Sequence, residues 1–202
     1  MVNDPAGFLT TYLRVPPPLK VMQPFTAVLI KGKVVVPQQS EADSLLNDGY
    51  GAREGGLLVL EYAETLFNVE RGKITVVDEN TNASMSFSEL LLVFLKADPK
   101  AWTRFLVYKD LRTRGFVARV GTDDRTDLVV YERGASRNEP PTIRVTIVSE
   151  GSPVNLDELL ETTRSVECEG LQLKLAVVDR RGEMVYYGLT ERKFGDIVNK
   201  IV

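Results

Sequence analysis

Three aspartates stand close together in the second half of the chain, at positions 123, 124 and 127. Carboxylates at this spacing could hold Mg²⁺, which a metal-dependent nuclease uses to activate its reacting groups. A restriction-type site would also need a Glu-x-Lys on the next strand, where this sequence has Arg144 and Thr146. Because two of the three parts are missing, Asp123, Asp124 and Asp127 are more typical of a polar turn. We therefore predict no metal site and no other cofactor.

Basic side chains recur along the segment 100–119, where they could contact RNA phosphates. Asp110 is interleaved with them, and the whole chain has a net charge of −3, whereas a protein that binds nucleic acid alone usually has a basic excess. A solvated helix face is the favoured interpretation, and a stand-alone RNA-binding module that uses this basic helix is the alternative. Its predicted RNA contacts are Lys109, Arg112, Arg114 and Arg119.

The sequence contains no histidine and one cysteine, Cys168. Histidine is the usual proton-transfer residue near neutral pH, so its absence excludes His-based triads and His metal sites. A single cysteine excludes an internal disulfide and a Cys-based zinc site. Without an imidazole beside it, Cys168 is expected to be a small buried residue rather than a nucleophile.

The elements that must position these side chains divide at Asp98-Pro99. Residues 1–24 form a predicted appendage that ends after the triple proline at 16–18. Residues 25–98 form a small α/β domain, with strands in 25–37, 57–60 and 73–78. Its predicted helices cover 40–49, capped by Ser40, then 62–72, and 86–98, where Ser86 and Glu89 make a capping box. The glycine-rich segment 48–56 is predicted to be a turn.

Residues 99–202 form a second domain of mixed strands and helices. A long helix is predicted from Pro99 to Gly115, followed by strands at 116–121, 127–132 and 142–149. A helix at 155–168, capped by Asn155, precedes strands at 171–178 and 183–189. Beyond them, Phe194, Ile197, Val198 and Ile201 recur at helical spacing around Gly195. This amphipathic end would dock on a partner or pack on the chain's own sheet.

The composition is that of a globular protein, with 44% apolar and 26% charged residues. The longest apolar run, Leu90–Leu95, is far shorter than the roughly 20 residues needed to cross a bilayer. We see no apolar signal segment near the N-terminus. These features predict a cytoplasmic protein with no membrane contact.

Several motifs occur in the order of one family. They are "LVYKDLRTRGFVARVG", "VVYERG", "VSE" and "LKLAVVDRRGEMVYYGLT", preceded by "GYGAREGGLLVLEYAETLFNVERGKITVVDE". The chain resembles the archaeal tRNA-splicing endonucleases over about residues 25–189. The resemblance implies a small N-terminal α/β domain and a restriction-endonuclease-like, mixed-sheet C-terminal domain. It also implies a family activity that cuts introns from precursor tRNA at bulge–helix–bulge sites without a metal.

In the family this resemblance points to, a tyrosine, a histidine and a lysine carry the chemistry. At the matching positions this sequence has Phe116, Thr126 and Thr146. Phenylalanine carries no proton to transfer, and a threonine hydroxyl is far too weak an acid near neutral pH. We therefore expect that the chain is not an enzyme itself but the structural, non-catalytic subunit of the endonuclease.

The resemblance also implies partners. The chain would scaffold a catalytic subunit of the same family in an α2β2 heterotetramer and would meet precursor tRNA through that complex. The last strand would pair with the partner, and the acidic turn before it would enter a basic cleft, although Arg180 and Arg181 offset its charge. The predicted partner-binding residues are Asp179, Glu183, Met184, Val185, Tyr186 and Tyr187.

Overall fold

A computed structural model describes residues 23–121, 123, 125–135 and 139–191. The N-terminal half builds a six-stranded sheet in the order β3-β4-β2-β1-β5-β6, in which β1 and β5 run parallel and the other neighbours antiparallel. Its strands are β1 (Phe25–Ile30), β2 (Lys33–Val36), β3 (Ala52–Glu54), β4 (Leu57–Leu60), β5 (Ile74–Asp78) and β6 (Ser84–Met85). Its helices are α1 (Gln39–Asn47), α2 (Tyr62–Glu70) and α3 (Phe87–Ala97).

The C-terminal half builds a five-stranded sheet in the order β11-β10-β9-β8-β7. Helix α4 (Ala101–Thr113) precedes it, and helix α5 (Leu156–Cys168) connects the parallel pair β9 and β10. The other neighbours pair antiparallel. The strands are β7 (Phe116–Val120), β8 (Leu128–Arg133), β9 (Ile143–Ser149), β10 (Gln172–Val178) and β11 (Met184–Leu189). Two mixed sheets with packed helices confirm the predicted α/β fold class.

Local signals at two helix starts are confirmed. The Glu89 backbone N–H donates to the Ser86 hydroxyl at 3.3 Å, while the Ser86 N–H donates to the Glu89 carboxylate at 2.8 Å. The Asn155 side chain accepts from the backbone of the first turn of α5. The predicted Ser40 cap is wrong, because α1 begins at Gln39, after the N-cap Gln38, and Ser40 lies inside its first turn.

The glycine-rich segment 48–56 is not a turn throughout, as the sequence predicted. Ala52–Glu54 forms strand β3, which pairs antiparallel with β4. Turns lie on both sides of this strand, at Asp48-Gly49 after α1 and at Gly55-Gly56, whose φ values are 56° and 87°. Two successive positive φ angles are typical of a tight hairpin turn. Glycine adopts them readily, so the chain can form one strand before the turn and another after it. The two-residue strand β6 was also missed by the sequence analysis.

Helix α4 contributes to a core that continues from one sheet to the other. Phe105 and Tyr108 are at most 1% exposed, and the Tyr108 ring meets the Phe67 ring of α2 edge to face at 5.9 Å. The predicted boundary at Asp98-Pro99 therefore lies just before a helix that packs on both halves, and the division into domains stays a prediction. Almost all of the predicted appendage and the amphipathic end beyond Glu191 lie outside the described residues.

Candidate functional site

Thr126, one of the three positions singled out by the resemblance, is a buried residue in the turn that enters β8. Its hydroxyl donates to the Asp123 carboxylate at 2.9 Å, and its backbone N–H donates to the same group at 2.7 Å. Burial opposes ionisation of Asp123, but these bonds, the Arg125 N–H and the Arg144 guanidinium together lower its pKa below the usual value. The Thr126 hydroxyl is thus held by a carboxylate that stays ionised.

Arg144 closes this turn from the neighbouring strand β9. Its guanidinium donates to Asp123 at 2.6 Å and to Glu169, just after α5, at 2.9 Å. The Arg144 Nε is buried and has no hydrogen-bond partner among the described residues. Arg144 therefore links β8, β9 and α5 at one end of the sheet and places a positive charge beside Thr126. No sequence motif predicts the contact between Arg144 and Glu169, which are 25 residues apart.

Thr146 lies next to this turn on β9, where its hydroxyl donates to the Arg125 carbonyl at 3.1 Å. It lines an open groove of about 490 Å³ between α5 and β9. The groove also receives the side chains of Lys100, Arg125 and Asp127. It therefore contains two cations and a hydroxyl, together with carboxylates of α5 on its far wall.

The structure does not bring Phe116 to the two threonines. β7 and β8 pair with Phe116 opposite Arg133 and Val120 opposite Leu128, so Phe116 lies at the far end of the hairpin from Thr126. Gly121, against which Thr126 packs, is five positions along the chain from Phe116, which corresponds to roughly 16 Å of strand. The Phe116 ring instead packs under the Arg133 guanidinium, 4.9 Å from the ring centre.

Both carboxylate oxygens of Asp127, a candidate metal ligand in the sequence, accept hydrogen bonds from protein groups. One carboxylate oxygen accepts from Arg104 on α4 at 2.8 Å, and the other accepts from the Ile147 N–H on β9 at 2.7 Å. Arg104 also donates to Asp98 at 2.8 Å. Asp124 lies outside the described residues. Within the described part of the chain, no group of three His, Cys, Asp or Glu side chains could hold a metal ion.

Each of the four predicted RNA-contacting side chains already has an intramolecular contact. Lys109 pairs with Glu70 at 2.6 Å, and Arg114 pairs with Asp110 at 2.9 Å. The Arg112 guanidinium donates to the Asp48 carbonyl at 2.8 Å and lies over the Tyr50 ring. The Arg119 guanidinium stacks on the Tyr131 ring, and its Nε is buried. Each of the four cations is therefore engaged within the chain.

The predicted partner-binding strand β11 is an edge of the second sheet, since it pairs with β10 on one side only among the described strands. Val185 and Tyr187 are 55% and 52% exposed. Met184 and Tyr186 point the other way and pack against the core, where the Tyr186 hydroxyl donates to Asp110 at 2.8 Å. Only half of the predicted apolar set therefore faces outward.

The turn before β11 is stabilised by its own carboxylate. Asp179 accepts from the backbone N–H groups of Arg181 and Glu183, each at 2.8 Å. Burial opposes ionisation of Asp179, but these bonds and Arg181 lower its pKa. The Arg181 side chain lies between Asp179 and Glu183 and pairs with both.

Sequence models of one family match most of the described chain. Residues 25–91 match the "tRNA intron endonuclease, N-terminal domain", and residues 101–187 match the "tRNA intron endonuclease, catalytic C-terminal domain". The chain belongs to the tRNA intron endonuclease family. The family and the archaeal resemblance are thereby confirmed.

Relatives named tRNA-splicing endonuclease occur in several archaea. The Methanococcus vannielii protein is 31% identical over 163 residues, which is 81% of this chain and 92% of the relative. The Pyrococcus furiosus protein is 30% identical over 74% of this chain and 85% of the relative. A Saccharolobus islandicus protein is 28% identical over 80% of this chain and 94% of the relative.

These matches correct one expectation. The prediction that the chain is not an enzyme, drawn from Phe116, Thr126 and Thr146, is wrong. The matching C-terminal model is that of a catalytic domain, and the relatives carry the name of an enzyme.

A second expectation, that Cys168 is buried, is also wrong, because its thiol is exposed at the end of α5. No helix in the described ranges has the length and apolar character to span a bilayer.

Proposed function

We propose that this chain is a subunit of a tRNA-splicing endonuclease that cleaves precursor tRNA at bulge–helix–bulge sites. In the assembly it scaffolds a sister chain of the same family. Two copies of each chain form an α2β2 tetramer. The observation that carries the proposal is the outer edge of β11, with Val185 and Tyr187 half exposed beside it. The family membership supplies the reaction class.

The edge of β11 is suited to strand pairing. An edge strand presents a row of backbone N–H and C=O groups that another chain can extend into a longer sheet. β11 has six residues, which supports several such hydrogen bonds, and it carries neither proline nor a charged side chain that would block pairing. A sister strand that joined this edge would also cover the exposed parts of Val185 and Tyr187.

The turn Asp179–Glu183 supports a second contact. Because the Asp179 carboxylate stabilises the turn itself, Glu183 is the acidic group that is free to face a neighbour, with its side chain 71% exposed. Arg181 competes for that carboxylate at 3.1 Å. A basic cleft on a neighbouring chain would have to displace Arg181, so the turn contributes orientation more than affinity.

The proposed precursor-tRNA substrate is supported by the family membership and by the groove beside Thr146. Lys100 and Arg125 line that groove and can contact RNA phosphates, although the carboxylates of Asp127, Glu158 and Glu161 line it too. The basic residues Lys109, Arg112, Arg114 and Arg119 have intramolecular contacts, which favours the assembly over a stand-alone RNA-binding module on α4. Steeply salt-dependent binding of bulged RNA by the chain alone would instead favour that module.

Mixing the chain with a histidine-containing homologue tests the proposal. We expect light scattering to show a mass near that of two copies of each chain. We also expect the mixture to cleave intron-bearing precursor tRNA faster than either chain by itself. A mass equal to that of the separate chains at micromolar concentration would contradict the scaffold role.

Matched charge insertions locate the interface. Val185→Asp and Tyr187→Asp place a carboxylate at the β11 edge and should reduce tetramer formation at least tenfold. Leu92→Asp, at an exposed position of α3 that is 61% accessible, is the control and should assemble normally. Asp179→Ala with Glu183→Ala should weaken assembly less. Equal assembly of all these variants would place the interface elsewhere.

A further inference from the structure

A pocket of about 450 Å³ lies between the two halves of the chain, where the end of α1 meets the hairpin of β7 and β8. That volume is within the range of roughly 300–1,000 Å³ that is typical of small-molecule sites. The residues that line it include Asp43, Asn47 and Gly49 from the first half, and Arg119 and Tyr131 from the second. None of these five lines the groove beside Thr146, so the pocket is a separate feature.

Contacts within the chain fix the two walls of the pocket relative to each other. The Arg112 guanidinium donates to the Asp48 carbonyl after α1 at 2.8 Å and to the Phe116 carbonyl at the start of β7 at 3.4 Å. Gly49 also approaches Val117 closely, because a Cβ at Gly49 would lie 3.4 Å from the Val117 side chain. The pocket is therefore preformed, and a ligand does not have to assemble it.

The wall formed by the hairpin places a planar cation on an aromatic ring. Val117 is opposite Tyr131 and is two residues from Arg119, so Arg119 and Tyr131 lie on one face of the sheet. The Arg119 guanidinium lies 5.5 Å from the centre of the Tyr131 ring. Unpaired nucleobases stack on aromatic rings and on guanidinium planes. This wall offers both kinds of surface.

Arg119 differs from other arginines of the second half in its partners. Arg114 and Arg144 pair with carboxylates, whereas Arg119 forms no ion pair with the described residues. Its Nε is buried, so packing against the ring holds the guanidinium in place. A cation that is fixed by packing and not neutralised by a carboxylate is suited to stacking against a base.

The wall formed by α1 supplies hydrogen-bond acceptors. Asp43 and Asn47 are exposed, and Asn47 is the last residue of α1, where helix carbonyls carry partial negative charge. The Asp43 carboxylate accepts from Arg53 at 2.5 Å and from Gln39 at 3.2 Å, which leaves part of its acceptor capacity open. This wall disfavours a phosphate and can accept from the amino or imino groups of a base.

The pocket lies on the same face of the second sheet as the candidate site. Arg119 is opposite Val129, and Val129 is opposite Arg144, so the two arginines stand in one row two strands apart. Two strand spacings correspond to about 10 Å. Because Arg144 contacts Thr126, an RNA strand that passes the candidate site also passes close to the pocket.

We propose that this pocket binds the base of an unpaired nucleotide. The base stacks against Arg119 and Tyr131, and its polar edge faces Asp43 and Asn47. Base binding does not depend on the scaffold role, because the pocket is complete within one chain. Only the choice of precursor tRNA as the source of the base rests on the proposed function. The bulges of such an RNA supply unstacked bases.

Fluorescence anisotropy with the isolated full chain tests the binding of a base. The probes are a labelled RNA hairpin with a bulge and the same hairpin fully paired. We expect the bulged RNA to bind about tenfold more tightly or better. Because stacking carries the contact, its affinity should change by less than about tenfold between 50 and 200 mM salt. No binding, equal binding of the two RNAs, or a salt effect of about a thousandfold would overturn the proposal.

Competition with AMP distinguishes the two sources of a base. Displacement of the bulged RNA supports a pocket that also takes free nucleotides, and a bulge preference without displacement supports a pocket that takes bases of RNA alone. Light scattering of the mixed chains reports assembly separately. A failure of base binding can therefore be told apart from a failure of the scaffold role.

Two substitutions remove the stacking surface. Arg119→Lys keeps the charge but loses the guanidinium plane, and Tyr131→Leu loses the ring, so each should weaken binding of the bulged RNA about tenfold. The matched controls are Arg133→Lys, whose guanidinium lies over the Phe116 ring outside the pocket, and Tyr131→Phe, which keeps the ring. Both controls should bind within about twofold of the wild type. Equal affinities of Arg119→Lys and Arg133→Lys would contradict the stacking.

Photocrosslinking provides a test in the wild-type chain, which does not depend on the folding of a variant. The bulged RNA carries 5-iodouridine in its bulge, and mass spectrometry identifies the crosslinked peptide after irradiation. We expect the main crosslink at Tyr131. Crosslinks confined to the exposed Trp102 or Tyr187, which lie outside the pocket, would place the base elsewhere and overturn the proposal.

Discussion

Arg104 and Asp127 form a part-buried ion pair of 2.8 Å that connects the first turn of α4 to the residue just before β8. The same carboxylate accepts from the backbone of Ile147 on β9 at 2.7 Å. The side chain of Asp127 is only 6% exposed and that of Arg104 is 21% exposed, so water reaches the carboxylate poorly if Arg104 is removed.

Asp127→Ala should therefore destabilise the fold strongly. It removes the acceptor of the Ile147 N–H and of the Arg104 Nε, while Arg104 keeps its bond to Asp98, and each buried donor left without an acceptor typically costs about 1–3 kcal/mol. Urea unfolding followed by circular dichroism measures the change. Arg181→Ala, which removes a pair whose arginine side chain is 77% exposed, is the control and should cost less than about 1 kcal/mol. Similar losses for the two variants would show that Asp127 contributes no more than a surface charge.

Glu64 on α2 should make stability depend on pH. Its side chain is 1% exposed, and burial raises its pKa to about 7, although the N–H groups of Gly51 and Glu61 donate to it. The pKa is raised in the folded state, so the folded protein binds the proton more tightly. Stability should therefore fall as pH rises from about 4.5 to about 7 and stay low above that.

Glu64→Gln keeps an acceptor oxygen but cannot ionise. We expect it to remove this contribution and to make the protein more stable than the wild type at pH 8, by about 3 kcal/mol. Urea unfolding from pH 4.5 to pH 8 measures the effect, with the exposed Glu132→Gln as control. An unchanged slope in Glu64→Gln would mean that other groups cause the pH dependence.

Gly121 should tolerate no side chain. A Cβ at this position would lie 2.4 Å from the Thr126 carbonyl oxygen, a backbone atom that cannot move aside without disturbing the turn. Gly121→Ala is expected to cost about 1–3 kcal/mol and to shift the backbone amide resonances of Thr126 and Asp127. Gly188→Ala is the matched control, because its Cβ would meet only the flexible end of Lys174 at 3.4 Å. Equal losses in the two variants would contradict the close contact.

Two adjacent tyrosines on β11 should respond differently to loss of the hydroxyl. The Tyr186 hydroxyl donates to Asp110, whereas the Tyr187 side chain faces outward. Tyr186→Phe should lower the free energy of unfolding by about 0.5–1.5 kcal/mol, and Tyr187→Phe should leave it within about 0.5 kcal/mol of wild type. If Tyr187→Phe lowers the free energy of unfolding of the isolated chain more than Tyr186→Phe does, the side-chain orientation assigned to β11 is wrong.

Signals within one element predicted the fold well, because they act over three or four residues. The Ser86–Glu89 capping box and the Asn155 cap are two examples. Contacts between elements could not be predicted in this way. Arg104 meets Asp127 across 23 residues, and Arg144 meets Glu169 across 25, through the packing of helices on the sheet.

The candidate site also depends on contacts between elements, which the sequence could not predict. Thr126 and Thr146 are adjacent because β8 pairs with β9, which the sequence analysis did not predict. Phe116 is at the opposite end of its hairpin, because the antiparallel register of β7 and β8 fixes its position and a linear motif does not specify register. The exposure of Cys168 was missed for a related reason, since the last turn of a helix can leave the surface it packs on.

The shared core around α4 limits how this protein can be recombined with its relatives. Phe105 and Tyr108 pack against Phe87 and Phe67 of the first half, in one core that continues into the second sheet. A hybrid that takes residues up to Asp98 from one homologue and the remainder from another would join two surfaces that were shaped separately. Such chimaeras should express as soluble protein only when the residues that touch α4 are transplanted together with it.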